Sequence, residues 1–167
     1  DEFAKAVGNK VLPVAWTVAM DGVCVVVHPS NPVAKLTSEQ VREIYAGKIA
    51  NWSQVGGPSM PIVVISRDTS SGTYETFETL IMKKQPMGAG VEYVNANPQA
   101  QNRVKTTQGA IAYVGLGFLE GVKALPIDGV KPSRQTVANG TYPLSRPLFL
   151  FTNGFPKLGS ALYKFVT

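Results

Sequence analysis

The chain has one cysteine, Cys24, and one histidine, His28. A single thiol excludes an internal disulfide, and a single imidazole excludes a histidine cluster for a metal. No apolar run approaches the roughly 20 residues that a membrane-spanning helix needs. Acidic residues almost vanish from the second part: residues 93–167 hold eight basic residues against Glu120 and Asp128, whereas 1–92 hold eight basic and nine acidic. The net charge of +5 therefore resides there. These basic residues are scattered and not interleaved with aromatics, which argues against nucleic acid and for a small anion or an acidic partner. The N-terminus, Asp1-Glu2-Phe3-Ala4-Lys5, lacks the basic-then-apolar order of a signal peptide. Any export signal is expected to lie outside this chain.

What is present is enough for one well-formed core. Of 167 residues, 44% are hydrophobic and 16% charged, the balance of a compact folded chain. Phe3 and Val7 before Gly8-Asn9 suggest the tail of a helix, and Val11 to Ala19 an extended segment. Asp21-Gly22 reads as a turn into the strand Val23–Val27, in which Cys24 is a small core residue and which His28-Pro29 closes. Thr37 with Gln40 forms a capping box for a helix whose inward stripe is Val41, Ile44 and Tyr45, stopped by Gly47. Trp52 reads as the anchor of the next loop. The strand at Pro61–Ile65 precedes a helix from Gly72 or Thr73 to about Lys84. Asn97-Pro98 looks like a cap and first-turn proline of a helix to Gln108. Strands are expected at 110–114, 122–127 and 147–151, a short helix at 135–138, and an amphipathic helix over 158–166. Strands and helices alternate without repeats or linkers, so the expectation is one α/β layer structure over 1–167.

Between the strand ending at Ile65 and the next helix stands Ser66-Arg67-Asp68-Thr69-Ser70-Ser71-Gly72-Thr73. A polar loop delivered onto a helix start meets unpaired N–H groups and the positive end of the helix dipole. Arg67 adds a planar fork that can grip two oxygens, and hydroxyls follow to donate to the others. The stretch reads as an oxyanion cradle. It reads equally as an ordinary helix cap beside a surface Arg–Asp pair.

Six segments in order resemble the phosphate-binding proteins that feed bacterial phosphate importers of the ABC class. They are 21–32, 36–41, 47–52, 67–73, 109–114 and 142–148. The resemblance implies one lobe of a periplasmic-binding-protein-like (type II) clamshell, with a mixed sheet and helices on both faces. It implies inorganic phosphate as ligand, no cofactor or metal, a membrane permease as partner, and a place at the periplasmic or extracellular face. The family's ligand motif falls on Arg67, Ser71, Gly72 and Thr73. The residue that orients the arginine would be Asp68, adjacent to it and not two positions on. The family's first lobe, with its Gly/Ser/Thr-rich loops and a proton-accepting aspartate, has no counterpart here. The chain is therefore expected to carry half a site, to select poorly between phosphate and sulfate, and to self-associate through the surface that a first lobe covers.

Two other functions compete. A phosphate-ester enzyme would need a base or metal by the cradle, and neither a second histidine nor a carboxylate cluster is available. Ser71 also lacks the glycine two residues earlier that a nucleophile elbow requires, Thr69 standing there. A phosphate-sensing or interaction module on the same lobe would share all of its physics with a transport component.

Overall fold

Val23 to Val27 have no exposed surface and form the inner half of the longest strand. That strand, β1 (Pro13–Val27), runs unbroken through Asp21-Gly22, where the sequence suggested a turn. Gly22 serves packing instead: a Cβ there would lie 2.5 Å from Val137 Cγ2. The structure, a computed structural model, describes residues 2–167. The chain divides into two compact units, residues 21–146 and residues 1–20 with 147–167.

The larger unit is built on a mixed sheet. Its strands are the inner half of β1, β2 (Val63–Arg67), β3 (Glu92–Val94), β4 (Ala110–Gly115) and β5 (Lys123–Ala124), in the order β3-β2-β4-β1-β5; β6 (Ser145–Asn153) also pairs with β1. β2 runs parallel to both β3 and β4, whereas β1 runs antiparallel to β4 and β5. β4 is buried on both faces, as a near-continuous apolar run requires. Ala110, Ala112 and Val114 join Cys24, Val26 and Ile65 against Ala100 and Val104 of α4 (Asn97–Thr106). The other face turns Tyr113 toward Tyr45 of α2 (Ser38–Tyr45) and Phe77 of α3 (Gly72–Phe77). Tyr113 and Phe77 stack with centroids 3.9 Å apart and planes 7° from parallel, and Tyr45 tilts onto both. Burial pushes the Tyr113 phenol up to about 12, so it stays a neutral donor.

Several local expectations hold. The Thr37–Gln40 capping box opens α2, and Gly47 takes the left-handed φ of +78°. Trp52 is fully buried and donates from Nε1 to Gly109 O at 2.9 Å. Others change. Helix α3 passes into a π-helical turn, Glu78–Met82, closed by Lys83 N–H on Glu78 O, and ends there because Lys83 and Lys84 are left-handed. β3 is a three-residue edge with no apolar run to announce it. The strand expected over 122–127 is two residues long, and the short helix is α5 (Arg134–Ala138).

The smaller unit holds α1 (Glu2–Gly8), the outer half of β1, β6 from Pro147, and α6 (Ala161–Val166). Trp16 donates to Thr152 Oγ1 at 2.9 Å and meets the Phe155 ring edge-on at 6.1 Å. Among its described residues no apolar side chain is buried; Thr152 alone reaches that class. The apolar stripe of α6 is therefore present in sequence yet uncovered, with Phe165 73% exposed.

Candidate oxyanion site

Parallel pairing with β4 at Val63 and Val64 and with β3 from Ile65 to Arg67 leads β2 to its carboxyl end, the place where open α/β sheets present ligands. Two tyrosine hydroxyls hold its backbone. Tyr45 Oη donates to Ile65 O at 2.9 Å, and Arg67 N–H donates to Tyr113 Oη at 3.2 Å. Ser66 Oγ lies 2.7 Å from that same phenol and donates to Arg67 O. The strand's last residue is thus pinned before its side chain is placed.

Arg67 is 9% exposed. Its Nη1 donates to Asn97 Oδ1 at 3.0 Å and its Nη2 to Asn95 O at 3.1 Å. Nε is buried and has no acceptor. Asp68 Oδ2 stands 3.5 Å from Arg67 Nη2. The other oxygen of Asp68 accepts from the hydroxyl and the N–H of Ser70, and these bonds, with Arg67 nearby, hold the carboxyl below its ordinary range. No signal in the sequence marks Asn95 and Asn97 as partners of Arg67. Asn97 was expected to cap α4, but Ala96 takes that position, and the Asn97 side chain accepts from Arg67 and, at 3.4 Å, from Gly115 N–H. An Asn-Pro pair at a helix start has the same sequence whether its amide caps the helix or reaches a guanidinium 30 residues away.

Ser71 is the N-cap of α3: its Oγ accepts from Thr73 N–H at 3.2 Å and Tyr74 N–H at 3.4 Å. The capping reading therefore holds for Ser71, and its Oγ engages the Thr73 N–H. Gly72 N–H has no intrahelical acceptor, as at any helix start. Gly72 is also a point of close approach: a Cβ there would lie 2.9 Å from Arg146 Nη2. Arg146, which precedes Pro147 in β6, stands 3.7 Å from Asp21 Oδ2. Arginines thus stand at both ends of the loop, Arg67 at its start and Arg146 against Gly72.

Other candidate chemistry is thin. Among the described residues no group of His, Cys, Asp and Glu could hold a metal. Burial pushes the Cys24 thiol up to about 12 and leaves it unreactive. A cleft of about 760 Å³ lined by Pro32, Lys35, Thr37, Gly56 and Asp128 lies elsewhere in the larger unit. Two of its polar groups are already committed, Thr37 to the capping box and Asp128 to Ser38.

A family model described as a PBP superfamily domain matches residues 1–167. The phosphate-binding protein PstS of Staphylococcus saprophyticus is 36% identical over 166 residues, 92% of this chain and 51% of that protein. PstS of Bacillus subtilis is 33% identical over 139 residues, 82% and 46% respectively. The solved ABC-type phosphate transport receptor from Vibrio cholerae superposes with a TM-score of 0.80 at 32% identity, over 92% of this chain and 64% of that one. A putative phosphate ABC transporter substrate-binding protein from Clostridium perfringens, solved with bound phosphate, gives 0.80 and 32% over 90% and 61%. The chain spans about half the length of the curated relatives it matches. It belongs to the PBP superfamily.

Proposed function

We propose that this chain binds inorganic phosphate as part of the substrate-binding component of a phosphate ABC importer, working at the periplasmic or extracellular face and delivering to a membrane permease. One observation carries the reading: a nine-tenths buried arginine at the carboxyl end of a central strand, with a buried Nε–H that no protein group accepts. A buried donor without a partner is costly, of the order of 1–3 kcal/mol, and an anion oxygen removes that cost. Arg67 grips two oxygens, the Ser71 and Thr73 hydroxyls donate to others, and Gly72 lets the backbone come close. Asp68 steadies Arg67 from the exposed side. The names of the relatives, phosphate-binding proteins and phosphate transport receptors, support the same ligand.

The chain, in this reading, is the second lobe of a longer protein whose first lobe supplies the remaining contacts. Support comes from the relatives' double length and from the smaller unit, where Phe155 and Leu158 are 81% and 79% exposed. Titration of the chain with phosphate by calorimetry tests the assignment. Binding that Arg67→Ala removes is the expected result; equal affinity in wild type and variant refutes the site.

A further inference from the structure

Resting on the phosphate reading, we propose that Arg146 is a second guanidinium ligand of the tetrahedral oxyanion. Arg146 is about three-quarters buried, its side chain 27% exposed. A guanidinium carries five donors, and burial without acceptors is rare for so polar a group. Yet none of the described side-chain hydrogen bonds comes from Arg146, and its Nε is buried without a partner. Its only ionic neighbour among the described residues is Asp21, at 3.7 Å, beyond hydrogen-bond reach. The oxygen of Asp21 that faces it is Oδ2, while Oδ1 accepts from Gly22 N–H at 2.9 Å. A charged fork so placed lacks an oxygen acceptor.

Its position says where that acceptor would come from. Arg146 Nη2 lies 2.9 Å from where a Cβ on Gly72 would be, so the guanidinium rests on the backbone of the cradle itself. Any residue but glycine at position 72 would push it off. Gly72 does not have a left-handed φ, so close approach is the reason for glycine there. Arg67 and Arg146 together offer two guanidinium forks to a tetrahedral oxyanion such as hydrogen phosphate or sulfate, each with an acidic neighbour, Asp68 and Asp21, that partly offsets its charge. Asp21 acts as the resting counter-ion that an entering anion displaces.

Calorimetric titration of the whole chain and its variants with inorganic phosphate and with sulfate tests this. Arg146→Ala is expected to weaken both anions about 10- to 100-fold, the worth of a charge-assisted pair. Arg146→Lys should restore part of the loss, since the point charge returns without the fork. Asp21→Asn is expected to tighten binding several-fold, because it removes the competitor for the fork. A merely structural Asp21–Arg146 pair predicts the opposite sign, so Asp21→Asn and Arg146→Ala weakening phosphate alike overturns the inference. Should Arg146→Ala not fold, as judged by circular dichroism, Arg146→Lys and Asp21→Asn decide. If Arg146→Ala binds phosphate within about twofold of wild type while Arg67→Ala does not bind it, Arg146 is no ligand and the phosphate reading survives. If the wild-type chain does not bind phosphate, both fall.

Discussion

Arg67 is held by three different neighbours, and their geometry ranks them. Asn97 Oδ1 and Asn95 O accept from its two Nη atoms at 3.0 and 3.1 Å, whereas the Asp68 carboxylate stands at 3.5 Å and is partly exposed. Exposed ion pairs contribute little, while a hydrogen bond to a charged group is worth about 1.5–3 kcal/mol. Asn97→Ala should therefore weaken phosphate binding more than Asp68→Asn does, a comparison that calorimetry reads directly; the reverse order would make Asp68 the main orienting group. Ser71 caps α3, and its proposed role as a ligand separates from the cap in experiment. Ser71→Ala removes a helix cap, costing about 1 kcal/mol of stability, and also a donor to the anion, so both melting temperature and affinity should drop. Ser71→Asp keeps the cap, and because it sets a negative charge in the cradle, it should preserve the melt and abolish the binding. Arg67 itself was legible in the sequence, because a strand, a polar loop and a helix start are local signals. Its partners were not. Asn95, Asn97 and Tyr113 lie 28 to 46 residues further on and reach it only through the parallel pairing of β2 with its neighbours. Nothing in the sequence says that Arg146, within the matching segment 142–148, rests on Gly72.

Among the elements, β2 and β4 decide where the loop stands, and one glycine sets their connection. Gly109 leads into β4, its carbonyl accepting from Trp52 Nε1 and from Val63 N–H. A Cβ on it would lie 2.4 Å from Pro61 O, a backbone atom that cannot swing aside. Gly109→Ala is expected to destabilise by about 1–3 kcal/mol through overpacking. In a chain of this size that lowers Tm by several degrees, roughly 2–4 °C per kcal/mol, and an unchanged melt would show that the segment yields. Capping boxes, stop glycines and apolar strands were readable because each depends on residues within four or five positions. The continuity of β1 was not, since Asp-Gly signals a turn unless, as here, Val137 from α5 fills the space above the glycine. The π-helical turn after α3 was equally hidden: it arises where Lys83 N–H bonds five residues back, a choice that leaves no mark on composition.

For the molecule as a whole, the contrast between its two units carries the last argument. The larger unit buries all of Val23 to Val27, Ile111 and Trp52, and has the core that independent stability demands. The smaller unit has no buried apolar side chain among its described residues, while Leu12, Phe155, Leu158 and Phe165 are each more than two-thirds exposed. Segments so short rarely bury enough surface to stand alone, and contiguous apolar surface seeks cover. Two covers would serve it: the further residues that its relatives carry outside the matched half, or a second copy of this chain. Alone in solution the chain is therefore expected to self-associate, with sedimentation velocity showing a concentration-dependent shift above the monomer. Joined to the residues that its relatives carry outside the matched half, it should run as a monomer and prefer phosphate over sulfate, whereas the isolated chain is expected to bind the two alike. A strict monomer at high concentration would mean that the smaller unit's surface needs no partner, and a phosphate preference already present in the isolated chain would place the discriminating acceptor within residues 1–167.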